Sequence, residues 1–432
     1  MNNALIFLAL AHSLLSFTAC SDDENNDDSN AVNPPVSEVR HVMNRSAKRG
    51  VGYNFRLPED MFLLKGGISW FYNWATKTSS TVQEEAKNAN VTFVPMTWNN
   101  NYSEDDITAT VKVFDDKYIL AFNEPNLVDQ ARMTPAQAAE FWPRLKEYAK
   151  ANDLKIISPA MNYGTLPGYS DPVTWLDEFF AQPGVSIDDI HAIALHCYMN
   201  SASSVKGYVD KFAKYGKPIW MTEFCAWDGG VADADAQIAY MSEVVAYFEE
   251  NPNVERYAWF EPRHTPGAPF MQLLVNDELT DAGKVYVNFS SFDKQAYALS
   301  GSQWPATSYQ STNASEGVEA GKAYSAAPSL HVATDPESIF PIEIKSITTK
   351  KWVEYGLDAR YDLSTLSLRL KTLVPTTFTI TVDGKESVDT EELTTKGEWK
   401  TVEIPISISC GLHNVRLAVK KGSTSLSSIL FK

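Results

Sequence analysis

Two glutamates stand where this chain could do acid–base work: Glu124, inside Phe122-Asn123-Glu124-Pro125-Asn126, and Glu223, inside Thr222-Glu223-Phe224. Each closes a short apolar run, and a polar run ending in proline is an expensive finish for a core strand. Cleaving a glycosidic bond needs two carboxyls in opposite protonation states, one to attack the anomeric carbon and one to protonate the leaving oxygen. A separation of about 5–5.5 Å marks the retaining variant of that chemistry. A lone glutamate at a strand end is more often an ion-pair partner or a helix cap, so the neighbours carry the weight. Asn123 suits a bond to the sugar 2-hydroxyl, Tyr198 a donated bond that keeps Glu223 ionised, and His196 points the same way two residues earlier. Trp259 is expected to form the floor under the ring being cleaved, and Trp70, Tyr72, Trp74 and Trp98 to line the cleft.

Both glutamates need a scaffold that ends several strands at one place. Between residues 49 and 288 short apolar runs alternate with amphipathic segments, the pattern of βα units. The runs at 51–55, 68–74, 91–98, 118–123, 156–162, 192–198, 219–224 and 257–261 predict eight parallel strands, enough for a closed (β/α)8 TIM barrel. Chemistry then sits at the C-terminal mouth, with Glu124 ending the fourth strand and Glu223 the seventh. Thr134-Pro135 opens a helix through Lys150, a segment from Ser204 stops at Gly216, and 233–250 and 283–289 supply two more helices. After about residue 300 the texture becomes Thr/Ser-rich and alternating, as in Leu366-Ser367-Leu368-Arg369-Leu370, which predicts an antiparallel β-sandwich. The expected division is a barrel over 48–290, a linker over 291–302 and the sandwich over 303–432.

The chain has 432 residues, room for both units, and a formal net charge of -17. That charge argues against nucleic acid, whose phosphates need clustered Lys and Arg, and disfavours an acidic polysaccharide. Residues 1–20 read as a lipoprotein signal peptide, with an apolar stretch ending at Thr18-Ala19-Cys20 that is too short to span a membrane. Cys20 would carry the lipid, and the polar residues 21–47 would be a flexible acidic tether. Acid residues just after Cys20 resemble a surface-export signal, so the expected place is the outer membrane, displayed at the cell surface, with contact to the membrane only through the lipid. Cys197 and Cys225 are expected to remain thiols, because strand alternation turns them to opposite sides. No His/Cys cluster has metal-ligand spacing, and neither metal nor cofactor is expected. The protein is expected to act as a monomer.

The barrel resembles glycoside hydrolase family 128. The matching runs include Ser69-Trp70-Phe71-Tyr72-Asn73-Trp74, Val94-Pro95-Met96, Phe122-Asn123-Glu124-Pro125-Asn126, Ser158-Pro159-Ala160, His196 with Tyr198, and Lys217-Pro218-Ile219-Trp220 leading to Glu223. The resemblance implies hydrolysis of β-1,3-glucan, expected to be endo-acting, with Glu124 as acid/base and Glu223 as nucleophile. Two positions depart from the family pattern: Cys197 replaces an aromatic, and Glu261-Pro262-Arg263 adds a third carboxylate near the end of the eighth strand. The C-terminal region is similar to a family 6 carbohydrate-binding module in Trp352-Val353-Glu354-Tyr355 and Gly411-Leu412-His413-Asn414-Val415. There Thr307 and Ser425 replace a calcium-holding Glu and a sugar-binding Asn, and Trp399 is the aromatic expected to meet sugar. The rival expectations are a related hydrolase acting on another β-glucan or on mannan, and a non-catalytic surface lipoprotein that binds glycan.

Overall fold

The computed structural model describes residues 38–227, 230–263 and 269–432. The expected leader, Cys20 and most of the tether lie outside those residues.

Eight parallel strands are present: β1 (Arg49–Gly52), β2 (Trp70–Tyr72), β3 (Thr92–Phe93), β4 (Tyr118–Leu120), β5 (Lys155–Ile157), β6 (Ile190–Cys197), β7 (Ile219–Phe224) and β8 (Val254–Phe260). They run in the order β3-β2-β1-β8-β7-β6-β5-β4, and a parallel bridge between Met96 and Leu120 brings the two edges together in a TIM-like barrel. Helices α1 (Pro58–Leu64), α2 (Ser80–Asn88), α3 (Glu104–Phe114), α4 (Pro135–Ala151), α5 (Pro172–Phe180), α6 (Ala202–Asp210), α7 (Ala234–Glu250) and α8 (Asp281–Asn288) follow the strands in turn. Thr134 and Gln137 form a reciprocal cap at the start of α4. The helix expected from Ser204 to Gly216 is broken: α6 ends at Asp210, and a separate 3₁₀ turn ends at Gly216, whose φ is 62°.

The barrel interior is filled from alternate positions. Trp70 and Tyr72 of β2 point inward with Trp220, Leu120, Ile157, Ala194 and Ala258, whereas Phe71 packs outside against the helices. Gly50 of β1 makes room for this, because a Cβ there would lie 2.6 Å from the Trp70 ring. In β7 the alternation is deliberately broken. Leu195 pairs with Met221 but His196 pairs with Glu223, so Thr222 is an extra residue in the ladder. Trp220 already points inward, and strict alternation would turn Glu223 out; the bulge returns it to the interior.

From Tyr297 onward the chain forms two six-stranded sheets. Alternation holds there: Leu366, Leu368 and Leu370 are buried on one sheet, and Val415, Leu417 and Val419 on the other. The expected linker is part of this structure, since Tyr297–Leu299 pairs in parallel with Trp352–Ala359. The end of the expected tether is likewise pinned, by a bridge from Arg40 to Ala296 and an Arg40–Asp293 ion pair at 2.7 Å. The sheets dock on α7, where Glu250 Oε1 accepts the Ser311 hydroxyl and the Thr312 N–H, each at 2.7 Å, and Ser242 Oγ accepts the Leu330 N–H at 3.1 Å. No helix among the described residues is long and apolar enough to cross a membrane.

Candidate active site

Glu124 leaves the sheet in a turn of its own. Asn123 still bridges Ala160 beyond the ends of β4 and β5, and the Glu124 N–H donates to the Ala160 carbonyl at 3.0 Å. Glu124 itself takes a left-handed backbone, φ 44°, at a cost of about 1–2 kcal/mol for a residue with a Cβ. The turn is closed by the Leu127 N–H on the Glu124 carbonyl at 3.0 Å. It leaves the Glu124 carboxyl buried in the mouth, 6% exposed, beside Glu223 at 4%.

The two carboxyls and His196 form one cluster, with one oxygen of each glutamate and a ring nitrogen all within 4.8 Å of one another. His196 Nδ1 lies 2.9 Å from Glu124 Oε1 and 3.4 Å from Glu223 Oε2. Glu223 Oε1 accepts from the Tyr72 hydroxyl and the Trp74 N–H, each at 2.7 Å, and Oε2 accepts from the Tyr198 hydroxyl. Glu124 Oε1 accepts from Asn162 Nδ2 at 3.0 Å. These oxygens face donor hydrogens, so the set is built for proton traffic rather than to chelate a cation.

The surroundings push the three groups in different directions. Burial would raise the Glu124 carboxyl, but the charge and hydrogen bond of His196, with Asn162, hold it below its ordinary value. Burial also raises Glu223, and there it prevails: His196 opposes it, the negative charge of Glu124 adds to it, and the Tyr198 and Trp74 bonds only moderate the rise. Burial disfavours a charged His196, yet the adjacent carboxylates outweigh it and raise the imidazole. Tyr72 and Tyr198 are lifted well above the usual phenol value by burial and by the carboxylates, so both remain donors.

Residues 50–286 match the family model described as glycosyl hydrolase catalytic core. This chain belongs to that family. Two solved structures place its barrel with GH128. An endo-β-1,3-glucanase of GH128 subgroup II from Pseudomonas viridiflava is 38% identical, with a TM-score of 0.52 over 57% of this chain and 98% of that one. Its counterpart from Sorangium cellulosum is 30% identical, with a TM-score of 0.51 over 56% and 98%. A curated relative, alkali-sensitive linkage protein 1 of Schizosaccharomyces pombe, is 27% identical over 263 residues, and the match spans only 45% of that protein.

In this glycosyl hydrolase core Glu124, Glu223, Asn123, Tyr198 and Tyr72 all gather at the mouth, and six sequence expectations need correction. Trp259 is not the floor of the sugar site: it is fully buried outside the barrel against Phe224, at 5.1 Å between ring centres, and Tyr286, at 5.8 Å, because the parity of β8 is one residue out of step with the reading that chose it. Phe260 is the ring of β8 that faces the mouth, partly exposed and set edge-on to Trp74 at 5.7 Å and Tyr198 at 5.6 Å. Trp70 is buried at the opposite end of the barrel, its indole N–H on the Lys48 carbonyl at 2.9 Å. His196 is 0% exposed and serves the two carboxyls instead of meeting substrate. Tyr72 is also 0% exposed and holds Glu223 rather than lining a cleft.

Trp74 and Trp98 are partly exposed and face a pocket of about 420 Å³ with Met96, Tyr102 and Asp106. The extra carboxylate at Glu261 is half-buried beside this mouth, and the neighbouring Arg263 guanidinium pairs with Asp60, Nε to Oδ2 at 2.9 Å. Cys197 and Cys225, both buried, are not joined by a disulfide. Cys225 faces Met271, Sγ to Sδ 3.7 Å, and not the barrel interior, because the strand ends at Phe224 and alternation stops. Trp399 is no open platform either: it is half-buried under the Lys371 ammonium, 4.8 Å from the ring centre.

Sequence reasoning missed Asn162, Phe260, Gln130 and Trp227. Asn162 was within reach, because it ends the fifth apolar run as Asn123 ends the fourth. Trp227 stacks on Phe260 at 6.0 Å and 12°, and Gln130 accepts from Asn123 Nδ2 at 3.1 Å; both sit in loops that no periodicity marks.

Proposed function

We propose that this protein is a retaining, endo-acting β-1,3-glucanase in which Glu124 is the acid/base and Glu223 the nucleophile. The observation that carries the reading is the pair of buried carboxyls with oxygens within 4.8 Å of each other, which suits the close spacing of a retaining pair better than the wider gap of an inverting one. The names of the two GH128 subgroup II relatives support the substrate and the endo action.

Taken singly, the lowered Glu124 and raised Glu223 would put a shared proton on Glu223, but Glu124 is lowered, against its burial, chiefly by a charged His196. With His196 neutral, the three donors around Glu223 favour its carboxylate when the pair holds one proton. Tyr72, Trp74 and Tyr198 all give hydrogens to Glu223, and an indole N–H can only donate. Burial then raises the step at which the pair as a whole loses its protons. In the first half-reaction the Glu223 carboxylate attacks the anomeric carbon, the glycosidic C–O bond breaks, and Glu124 delivers its proton to the leaving oxygen. In the second, Glu124 takes a proton from water, whose oxygen displaces Glu223 from the anomeric carbon. Asn123 serves the 2-hydroxyl, and Trp74, Trp98, Phe260 and Trp227 offer ring faces to the sugars.

The same reading makes residues 303–432 a β-sandwich of the two sheets packed face to face, and the chain an exported lipoprotein held by Cys20 at the cell surface. The test is incubation with β-1,3-, mixed-linkage and β-1,4-glucans, following reducing ends and product sizes beside Glu124→Gln and Glu223→Gln. Endo action predicts a rapid fall in chain length on β-1,3-glucan with oligosaccharide products. A single small product points to exo action, and binding without cleavage, or variants as active as wild type, removes the enzyme reading.

A further inference from the structure

We propose that Asn162, at the end of the fifth barrel strand, is a positioning residue that dictates which oxygen of Glu124 holds the proton given to the leaving group. The inference rests on the acid/base reading of Glu124 and adds to it a residue from a different strand.

The Asn162 carboxamide is locked in one orientation. Its Oδ1 accepts the Tyr163 N–H at 2.8 Å, so its NH₂ is the side presented to Glu124, and it donates to Oε1 at 3.0 Å. The backbone beneath it is held as well, since the Asn162 carbonyl accepts Asn126 Nδ2 at 2.7 Å. Turning the amide over would place its oxygen against a carboxylate and its NH₂ against a backbone N–H.

His196 converges on the same oxygen. Its Nδ1 lies 2.9 Å from Glu124 Oε1, while its Nε2 is buried with no hydrogen-bond partner among the described residues. A buried N–H without an acceptor carries the full desolvation penalty of that group, so a neutral His196 keeps its hydrogen on Nδ1, aimed at Oε1. Two N–H donors therefore converge on Oε1. None of the described residues donates to Oε2. The carboxyl hydrogen belongs on Oε2, the oxygen left open to the substrate.

The consequence for the reaction is specific. As the glycosidic C–O bond breaks, its electron pair stays with the leaving oxygen and the proton on Oε2 moves to that oxygen. Glu124 becomes a carboxylate whose charge is met at Oε1 by hydrogen bonds already in place, and bonds to a charged acceptor are about twice as strong as neutral ones. Asn162 thus favours the state that forms as the proton departs, and it opposes rotation of the carboxyl that would present the wrong oxygen.

The experiment compares the full chain with Asn162→Ala and Asn162→Asp, measuring kcat/KM across pH on two substrates. One is laminarin, whose leaving sugar needs the proton. The other is a 2,4-dinitrophenyl β-laminaribioside, whose leaving group departs without it. Asn162→Ala is expected to lower kcat/KM on laminarin on the order of 10- to 100-fold, chiefly through kcat, with the alkaline limb moved to higher pH. The dinitrophenyl substrate is expected to stay within a few-fold of wild type. Asn162→Asp places a negative charge beside Glu124, so its limb is expected to move further in the same direction. Equal losses on both substrates, or limbs that stay at the wild-type pH, would overturn the proposal and leave Asn162 a structural residue. A wild-type chain inert on both substrates would instead refute the acid/base reading on which it rests.

Discussion

At the floor of the barrel the Arg256 guanidinium lies 4.4 Å from the centre of the Trp220 ring, 4.8 Å from Tyr118 and 5.5 Å from Trp70, with Asp116 at 3.5 Å. At the mouth, Tyr72, Trp74 and Tyr198 surround the Glu223 carboxyl in a similar way, but with hydrogens instead of ring faces. Both ends thus bury a charge among aromatics. They differ in what is left over. The floor indoles are partnered, Trp70 to the Lys48 carbonyl at 2.9 Å and Trp220 to Glu255 at 2.7 Å. The mouth keeps Asn123 Oδ1 and His196 Nε2 buried without partners among the described residues, and holds Glu124 in a left-handed backbone. Groups that are fully satisfied add cohesion, whereas unsatisfied and strained ones persist where a ligand or a reaction uses them.

Substitutions at the two ends should therefore fail in opposite ways. The largest effect is expected from Glu223→Gln, which should lower kcat on β-1,3-glucan by more than about 10³-fold while leaving the melting temperature at or above wild type, since a buried carboxylate is removed. Steady-state kinetics beside calorimetry checks both halves. Trp220→Ala should do the reverse, costing about 3–5 kcal/mol of stability in denaturant unfolding, with kcat per folded molecule within a few-fold of wild type. Next comes Tyr198→Phe, for which the loss of one donor to Glu223 should reduce kcat by on the order of 10²-fold at unchanged stability.

The adjacent pair on β8 sharpens the contrast further. Phe260→Ala should raise KM about 10-fold, roughly the worth of one ring contact, with little change in melting, whereas Trp259→Ala should lower stability and spare KM. The smallest effect is on pH dependence. Burial raises Glu223, so the acid limb of kcat/KM should lie above the ordinary carboxylate value of 4.5. The Tyr198 bond lowers it, so in Tyr198→Phe the limb should move to higher pH.

The pair Trp259 and Phe260 also shows how far sequence alone reaches. The apolar run around them announced a strand, and the strand is there, but a single step of parity decides which ring faces the mouth, and nothing in the local pattern sets that step. The bulge at Thr222 is a harder case: alternation counted from Trp220 turns Glu223 outward, and only pairing with β6 shows the extra residue. Glu124 and Glu223 were legible because their chemistry differs from anything a core strand needs. Trp70 and Tyr72 were legible as strand residues but not as floor and as donor, since an inward ring reads the same at either end of a barrel. The end of the tether is expected to be flexible because its composition is polar, and the residues after the barrel to be a linker, yet a few specific bonds, such as Arg40 to Asp293 at 2.7 Å, are enough to pin them.

The central claim is that Glu223 forms a covalent bond to sugar while Glu124 manages the proton. It is tested most directly by reacting the protein with an activated 2-deoxy-2-fluoro β-laminaribiosyl fluoride and locating the label by peptide mass spectrometry. The account predicts one sugar equivalent bound to the peptide that contains Glu223, with label lost in Glu223→Gln and retained in Glu124→Gln. Attachment to any other residue, or turnover of β-1,3-glucan with inversion and no trapped adduct, would contradict it.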